Sequence, residues 1–315
     1  MIMDPTDLSI ISPVYNEAGN IELFLSRLLS ILNSMQINHF EIILVDDAST
    51  DQSVPIIKKH LEMDSRIKLI CFSRNFGQQS ALFAGILKSR GTIIINMDSD
   101  LQHPVEEIPL MLSLFKKQNL DILFTSKKDK KGQTFFLRIF SGLFYKMMGF
   151  MTDCKIPLDA SDFRIFNNKV KQFLLDFHEF HIYIPALLGL TGFKSDVYLY
   201  EVSQRFAGKS SFSLRSLFLL AVNALFSFTH IPVKISIFLG FLSLLISTGY
   251  TLFTIFKWLI YGVVIPGYIT LILFILFFNS VILINLGLIN EYVFRIFSLI
   301  QNRPNYIISE EYNIK

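Results

Sequence analysis

Two apolar stretches near the C-terminal end constrain this chain more than anything else in it. No charged residue lies between Lys234 and Lys257, a run of 22 residues, or between Lys257 and Glu291, a run of 33. A helix of about 20 apolar residues, rising 1.5 Å per residue, crosses the hydrocarbon of a bilayer. Each stretch can therefore cross once, and two spans are expected. The competing reading is a pair of buried helices in a soluble core, but soluble helices this long carry a polar face and these show none. Between the stretches, Lys257, Trp258, Tyr261, Gly262, Pro266, Gly267 and Tyr268 combine turn formers with interfacial aromatics, which predicts a short hairpin loop at one membrane surface.

Basic residues set the orientation. Arg205, Lys209, Arg215 and Lys234 precede the first stretch, Arg295 and Arg303 follow the second, and no Asp or Glu occurs between Glu201 and Glu291. Positive residues stay on the cytoplasmic side, so both termini are expected there, with Lys257 as the contrary charge. The opening MIMDPTDLS has neither a basic nor a long apolar region, so a secretory signal is not expected. Thr134–Phe150 and Ser213–Phe228 are aromatic-rich with Arg138, Lys146 and Arg215 as their only charges. They read either as helices lying in the headgroup plane or as buried core helices. The expected division is a cytoplasmic domain over 1–212, a juxtamembrane helix over 213–232, two spans over 233–292 and a cytoplasmic tail over 293–315.

Composition removes other classes. With 51% hydrophobic and 17% charged residues the chain has ample apolar surface for a core, which excludes disorder. A formal net charge of +3 does not mark a nucleic-acid binder, and none is expected. Cys71 and Cys154 form no CxxC or zinc spacing. Cys71 ends an apolar run and reads as packing, while His103, just before Pro104, reads as a helix entry.

Over the first two thirds, Leu8–Ser12, Glu41–Val45, Lys68–Phe72, Thr92–Met97 and Asp121–Thr125 are short apolar runs separated by amphipathic stretches. That alternation predicts βαβ units and a Rossmann-like α/β domain with a parallel sheet. A polar cluster follows each of the first four runs: PVYNE (13–17), DDASTD (46–51), SRNFGQ (73–78) and DSDLQ (98–102). Ligands of open α/β sheets bind outside the carboxyl ends of the strands, so the clusters are expected to share one crevice. No GxG occurs, which leaves phosphate to be handled without a dinucleotide fingerprint. Asp98 and Asp100 offer the alternative, a carboxylate pair that together with substrate phosphates suits Mg²⁺ or Mn²⁺.

These clusters, with SDFR at 161–164 and RFAGKSSF at 205–212, resemble glycosyltransferase family 2, the GT-A fold, and within it the polyprenyl-phosphate glycosyltransferases. The resemblance covers essentially the whole chain and most resembles the two-span bacterial glucosyltransferase branch; SDFR stands where the mannose synthases have SGFR. It implies that Pro13, Tyr15, Glu17 and Asp46 line a base and ribose pocket with Asp47 beside it, and that Asp98, Asp100 and Gln102 hold the metal and diphosphate. It further implies that Asp162 and Arg164 lie near the reacting sugar, with Asp159 a neighbour, and that Arg205, Lys209 and Ser210 bind phosphate. Asp162 either orients the acceptor or serves as base. The implied reaction is inverting transfer of a hexose, glucose from UDP-glucose being the leading choice, to polyprenyl phosphate, by an enzyme whose relatives form homo-oligomers. A processive polysaccharide synthase is disfavoured because the sole tryptophan, Trp258, lies in the hairpin rather than in a QxxRW element. A non-catalytic nucleotide-sugar sensor is disfavoured because no motif carboxylate is missing.

Overall fold

The computed structural model describes residues 7–35, 37, 39–127, 161–176, 184–201, 231–262, 267–301 and 304–314. The chain divides into two compact units, residues 1–211 together with 304–315, and residues 212–303.

The first unit is built on an eight-stranded sheet. Its strands are β1 (Leu8–Val14), β2 (Phe40–Asp46), β3 (Ile67–Phe72), β4 (Ile93–Asn96), β5 (Ile122–Lys127), β6 (Arg164–Asn167), β7 (Ser195–Tyr200) and β8 (Ile308–Tyr312). The order across the sheet is β7-β5-β6-β4-β1-β2-β3-β8. Interleaved are α1 (Ile21–Ser34), α2 (Ser53–Met63), α3 (Gln78–Lys88), α4 (Ile108–Lys117), α5 (Asn168–Leu175) and α6 (Ile184–Leu190).

All five expected strands form. Because helices cover both faces, their apolar runs are buried on alternate sides. Ile10, Leu44 and Leu69 pack in one cluster with Phe24, Leu25 and Leu28 of α1, whereas Ile11, Val45 and Ile70 pack in another with Ala81 and Leu82 of α3. Gly85 permits the second contact: a Cβ there would lie 2.3 Å from Ile11 Cγ2. Strands β3, β2, β1 and β4 are mutually parallel. The sheet as a whole is mixed, which corrects the expectation of a parallel one. β6 enters antiparallel between β4 and β5, and β8 pairs antiparallel with β3. β6 is only four residues long and β8, ISEEY, is mostly polar, so neither carries an apolar run of its own. Neighbouring strands create them. The chain order reverses at β1, whose neighbours are β2 and β4, and this switch point opens the crevice in which α/β proteins bind ligands.

The second unit holds α7 (Ile231–Tyr261) and α8 (Tyr268–Ile300), both long and apolar enough to cross a membrane. Their large apolar side chains are exposed around the helix, Phe238 at 62%, Leu259 at 69% and Leu283 at 67% among them, which a buried core helix would not show. α7 and α8 touch through Tyr250 and Phe274, whose rings are 4.7 Å apart, and through a hydrogen bond from Ser236 to Asn285. Lys257, Trp258 and Tyr261, expected in the loop, are helical, and α7 is followed by Gly262, whose φ of +70° is the left-handed conformation that closes helices while its N–H reaches Trp258 O at 3.1 Å. The segments Thr134–Phe150 and Ser213–Phe228, expected at the interface, lie outside the described residues.

Candidate active site

Four loops at the carboxyl ends of β1, β2, β3 and β4 lock onto one another. Asn16 N–H donates to Ser49 Oγ at 2.9 Å, Glu17 N–H to Ser53 Oγ at 2.8 Å, and Ala18 N–H to Asp51 at 3.0 Å, so the loops after β1 and β2 are one unit. Ser99 Oγ donates to Pro13 O at 2.9 Å, which adds the loop after β4. Asp47 binds the loop after β3: its two carboxylate oxygens accept the Phe76 N–H at 2.7 Å and the Gly77 N–H at 2.9 Å.

The adjacent pair Asp46 and Asp47 therefore divide their work. Both are buried, and burial raises both carboxyl pKa values. Asp47 has both oxygens committed to backbone donors. Asp46 accepts the Ser49 N–H through Oδ2 at 3.0 Å, while its buried Oδ1 has no partner among the described residues. A buried acceptor without a donor is costly, so it is suited to receiving an N–H or O–H from a ligand. Tyr15, 47% exposed on the neighbouring loop, presents a ring for stacking, and Glu17 accepts from Asn20 Nδ2 at 2.5 Å.

The other half of the site is acidic. Gln78, opening α3, donates to Asp98 Oδ1 at 2.7 Å and Asp162 Oδ2 at 3.1 Å. Gln79 adds a donor to Asp162 at 3.3 Å and accepts the Ile184 N–H at 3.2 Å. Asp98 and Asp162, 64 positions apart, are thus joined through one amide. Asp100 accepts the Gln102 N–H at 3.1 Å. Burial, and then the carboxylates of Asp162 and Asp100, push the Asp98 carboxyl well above its ordinary range, with Arg164 and Lys127 opposing them. Three carboxylates in a partly desolvated cleft call for added positive charge. Among the described residues no three His, Cys, Asp or Glu side chains are grouped so as to hold a metal ion by themselves, so a divalent cation at Asp98 and Asp100 would need ligands from substrate phosphates.

Arg164 lies beneath this surface. Its side chain is fully buried, its guanidinium hydrogen-bonds Asp162, and its Nε and Nη1 lack partners among the described residues, as do both amide atoms of Asn96 opposite it on β4. Arg164 thus holds Asp162 in place. Asp159, Arg205, Lys209 and Ser210 lie outside the described residues.

Sequence reasoning missed a second connection. His103 Nδ1 accepts the Asp98 N–H at 2.9 Å, so the ring proton sits on Nε2, which faces Ser161 Oγ at 2.8 Å. Ser161 Oγ also meets the Tyr200 hydroxyl at 3.0 Å, and the His103 ring stacks on Phe163 at 5.3 Å. Burial lowers the His103 pKa to about 4, consistent with a neutral ring. His103 does precede a short 3-10 turn, Val105–Glu107, as its position before Pro104 implied, but its ring ties the Asp98–Gln102 loop to the Ser161–Arg164 segment. Gln78 was legible only as the last residue of a polar cluster and Gln79 lay just beyond it, because their contacts to Asp162 depend on β6 entering beside β4.

Comparison with known proteins agrees with this architecture. Residues 9–174 match the family described as Glycosyl transferase family 2. An uncharacterised glycosyltransferase of Synechocystis is 34% identical over 309 residues, covering 98% of this chain and 96% of that protein. The bactoprenol glucosyl transferase of Shigella phage SfII is 30% identical over 305 residues, covering 97% and 98%. Among solved structures, glucosyl-3-phosphoglycerate synthase from Mycobacterium tuberculosis, in complex with Mn²⁺, UDP and phosphoglyceric acid, overlaps with a TM-score of 0.50 at 16% identity, covering 70% of this chain and 76% of that one. The strand order, the acidic crevice and a family match over more than half of its length lead to one conclusion: the chain belongs to glycosyltransferase family 2.

Proposed function

We propose that this enzyme transfers a hexose, glucose, from UDP-glucose to a polyprenyl phosphate at the cytoplasmic face of the bacterial inner membrane. One observation carries the reading: a glycosyltransferase unit and two exposed apolar helices occur in one chain whose similarity to bactoprenol glucosyl transferases runs through both parts. The residues after α8 belong to the first unit, where β8 pairs with β3. Two crossings with both termini on the catalytic side are what the basic residues flanking the apolar helices support.

Asp46 Oδ1 accepts an N–H of the base and Tyr15 stacks on it, with Pro13 and Glu17 completing the pocket. Asp98, Asp100 and Gln102 would hold Mg²⁺ or Mn²⁺ together with the donor's phosphates, and the cation would supply positive charge against the departing diphosphate. A phosphate oxygen of the lipid attacks the anomeric carbon, the bond to the diphosphate breaks, and UDP leaves with inversion. A phosphate monoester, with a second pKa of about 6, is largely ionised at neutral pH, so the acceptor needs little base catalysis. Asp162, braced by Gln78, Gln79 and Arg164, orients the acceptor, and catalysis rests on positioning and electrostatic stabilisation. Arg205, Lys209 and Ser210 receive the lipid phosphate, a role suited to Arg geometry.

The test is transfer from labelled UDP-glucose to undecaprenyl phosphate in membranes. The expected product is a chloroform-extractable monosaccharide lipid that Asp100→Ala abolishes. Long polymer would instead establish a processive synthase, and full cellular function of Asp100→Ala would establish a non-catalytic sensor.

A further inference from the structure

The segment after α8 does more than end the hairpin. β8 lies along β3 with Leu69 opposite Tyr312, Ile70 opposite Glu311 and Cys71 opposite Glu310, and the register shifts between Cys71 and Phe72. Side chains reinforce the ladder: Ser309 Oγ donates to Cys71 O at 3.0 Å, Lys58 pairs with Glu310 at 3.1 Å, Lys88 pairs with Glu311 at 2.8 Å, and Asn313 Nδ2 donates to Ile67 O at 3.0 Å. An exposed strand of composition ISEEY has little burial to gain by itself, so these contacts define why it sits here.

Just before β8 the segment reaches the donor side of the crevice. Tyr306 stacks on Phe72 with ring centres 5.0 Å apart and an interplanar angle of 15°, and Phe72 meets Phe76 edge-on at 5.7 Å. Ile307 O accepts the Ser73 N–H at 3.0 Å. The loop Ser73–Gly77 is therefore gripped from two sides. Its end at Phe76 and Gly77 is held from within by Asp47, and its beginning at Phe72 and Ser73 is held from without by Tyr306 and Ile307. Gly77 has a φ of +94°, a conformation other residues rarely adopt, so the loop has one way of passing from β3 into α3. Immediately after it come Gln78 and Gln79, the amides that brace Asp98 and Asp162.

We infer that the segment Tyr306–Tyr312 is a positioning element of the nucleotide-sugar site, and that Tyr306 acts through Phe72 and Phe76 to hold the Ser73–Gly77 loop. The inference rests on the proposed donor site. Chain that follows the second apolar helix thereby sets the shape of the pocket in which the soluble donor binds. The ring face does this work. Tyr306→Phe keeps the stack and is expected to preserve donor binding, whereas Tyr306→Ala removes the outer wall of the loop.

Full-length protein in detergent is assayed for UDP binding with Mn²⁺ by calorimetry and for steady-state transfer from UDP-glucose. Leu32→Ala, a buried position late in α1, serves as a destabilised control outside the crevice. Tyr306→Ala is expected to raise KM for UDP-glucose and the Kd for UDP by about three- to tenfold, the size of one lost aromatic pair, with kcat changed less than KM. Tyr306→Phe should restore both, and Leu32→Ala should leave KM unaltered. If the unsubstituted enzyme binds no UDP, the donor-site reading itself is overturned. If it binds UDP but Tyr306→Ala shifts KM no more than Leu32→Ala does, or Tyr306→Phe fails to rescue, the positioning role is overturned and the donor site stands.

Discussion

The connection from Asp98 through His103 and Ser161 to Tyr200 makes a quantitative demand. Ser161→Ala deletes a hydroxyl that meets His103 Nε2 at 2.8 Å, Tyr200 Oη at 3.0 Å and the Phe163 N–H at 3.3 Å. His103 and Tyr200 are 4% and 1% exposed, so water cannot replace what is lost. Leaving a buried donor unsatisfied costs about 1–3 kcal/mol, and two buried groups are affected, which gives about 2–4 kcal/mol once the half-exposed edge of Ser161 is allowed for. His103→Phe keeps the stack on Phe163 but orphans the Asp98 N–H. In the double variant the His103–Ser161 bond is lost only once, so its cost should fall short of the sum of the two single costs by about 1–2 kcal/mol. Denaturant unfolding of the four proteins measures this coupling. Transfer assays across a Mn²⁺ titration measure its consequence, because a loosened Asp98–Gln102 loop should need several-fold more cation for half-maximal rate. Additivity within about 0.5 kcal/mol, or an unchanged cation requirement in both single variants, would refute the idea that this chain of bonds couples the two acidic loops.

Three further outcomes are expected. Burial pushes the Cys71 thiol up to about 12, so in a Cys154→Ser background at pH 8 roughly one thiol in ten thousand is ionised and alkylation should wait for unfolding; prompt labelling in mass spectra of the folded protein would contradict the packing at β3. Glu41 is buried, and burial alone would raise its pKa, but hydrogen bonds from Lys68, Ser9 and the Arg90 N–H win and the net shift is downward. A depressed native pKa contributes stability above the unfolded value and loses it as pH falls through the native one. The unfolding-midpoint gap between the parent and Glu41→Gln should therefore be full near neutrality and close as the pH drops below about 4.5. Gly85→Ala places a methyl on Ile11 Cγ2 and should lower stability by about 1–3 kcal/mol in thermal unfolding, and the same substitution should cost less in an Ile11→Ala background, where Cγ2 is gone.

Much of this protein could be read along the chain because the relevant physics is local. Leu8–Val14 and Phe40–Asp46 are strands because their runs are apolar on both faces, and α7 and α8 are long helices because nothing polar interrupts them. The clusters at 13–17, 46–51 and 98–102 fall at strand ends, where a parallel sheet gathers its ligands. What each carboxylate does could not be read that way. Asp46 and Asp47 are neighbours of identical chemistry, yet Asp47 is consumed by the backbone of Phe76 and Gly77 while Asp46 keeps a buried oxygen with no partner among the described residues. Gln78 meets Asp162, His103 meets Ser161, and Ile308–Tyr312 becomes a strand only because β3 offers a free edge. Periodicity and hydropathy are written in consecutive residues, so the sequence alone determined the five apolar strands and the two long apolar helices. Hydrogen-bond partners are chosen by which distant segments the sheet brings within 3 Å, and only the tertiary structure decides that.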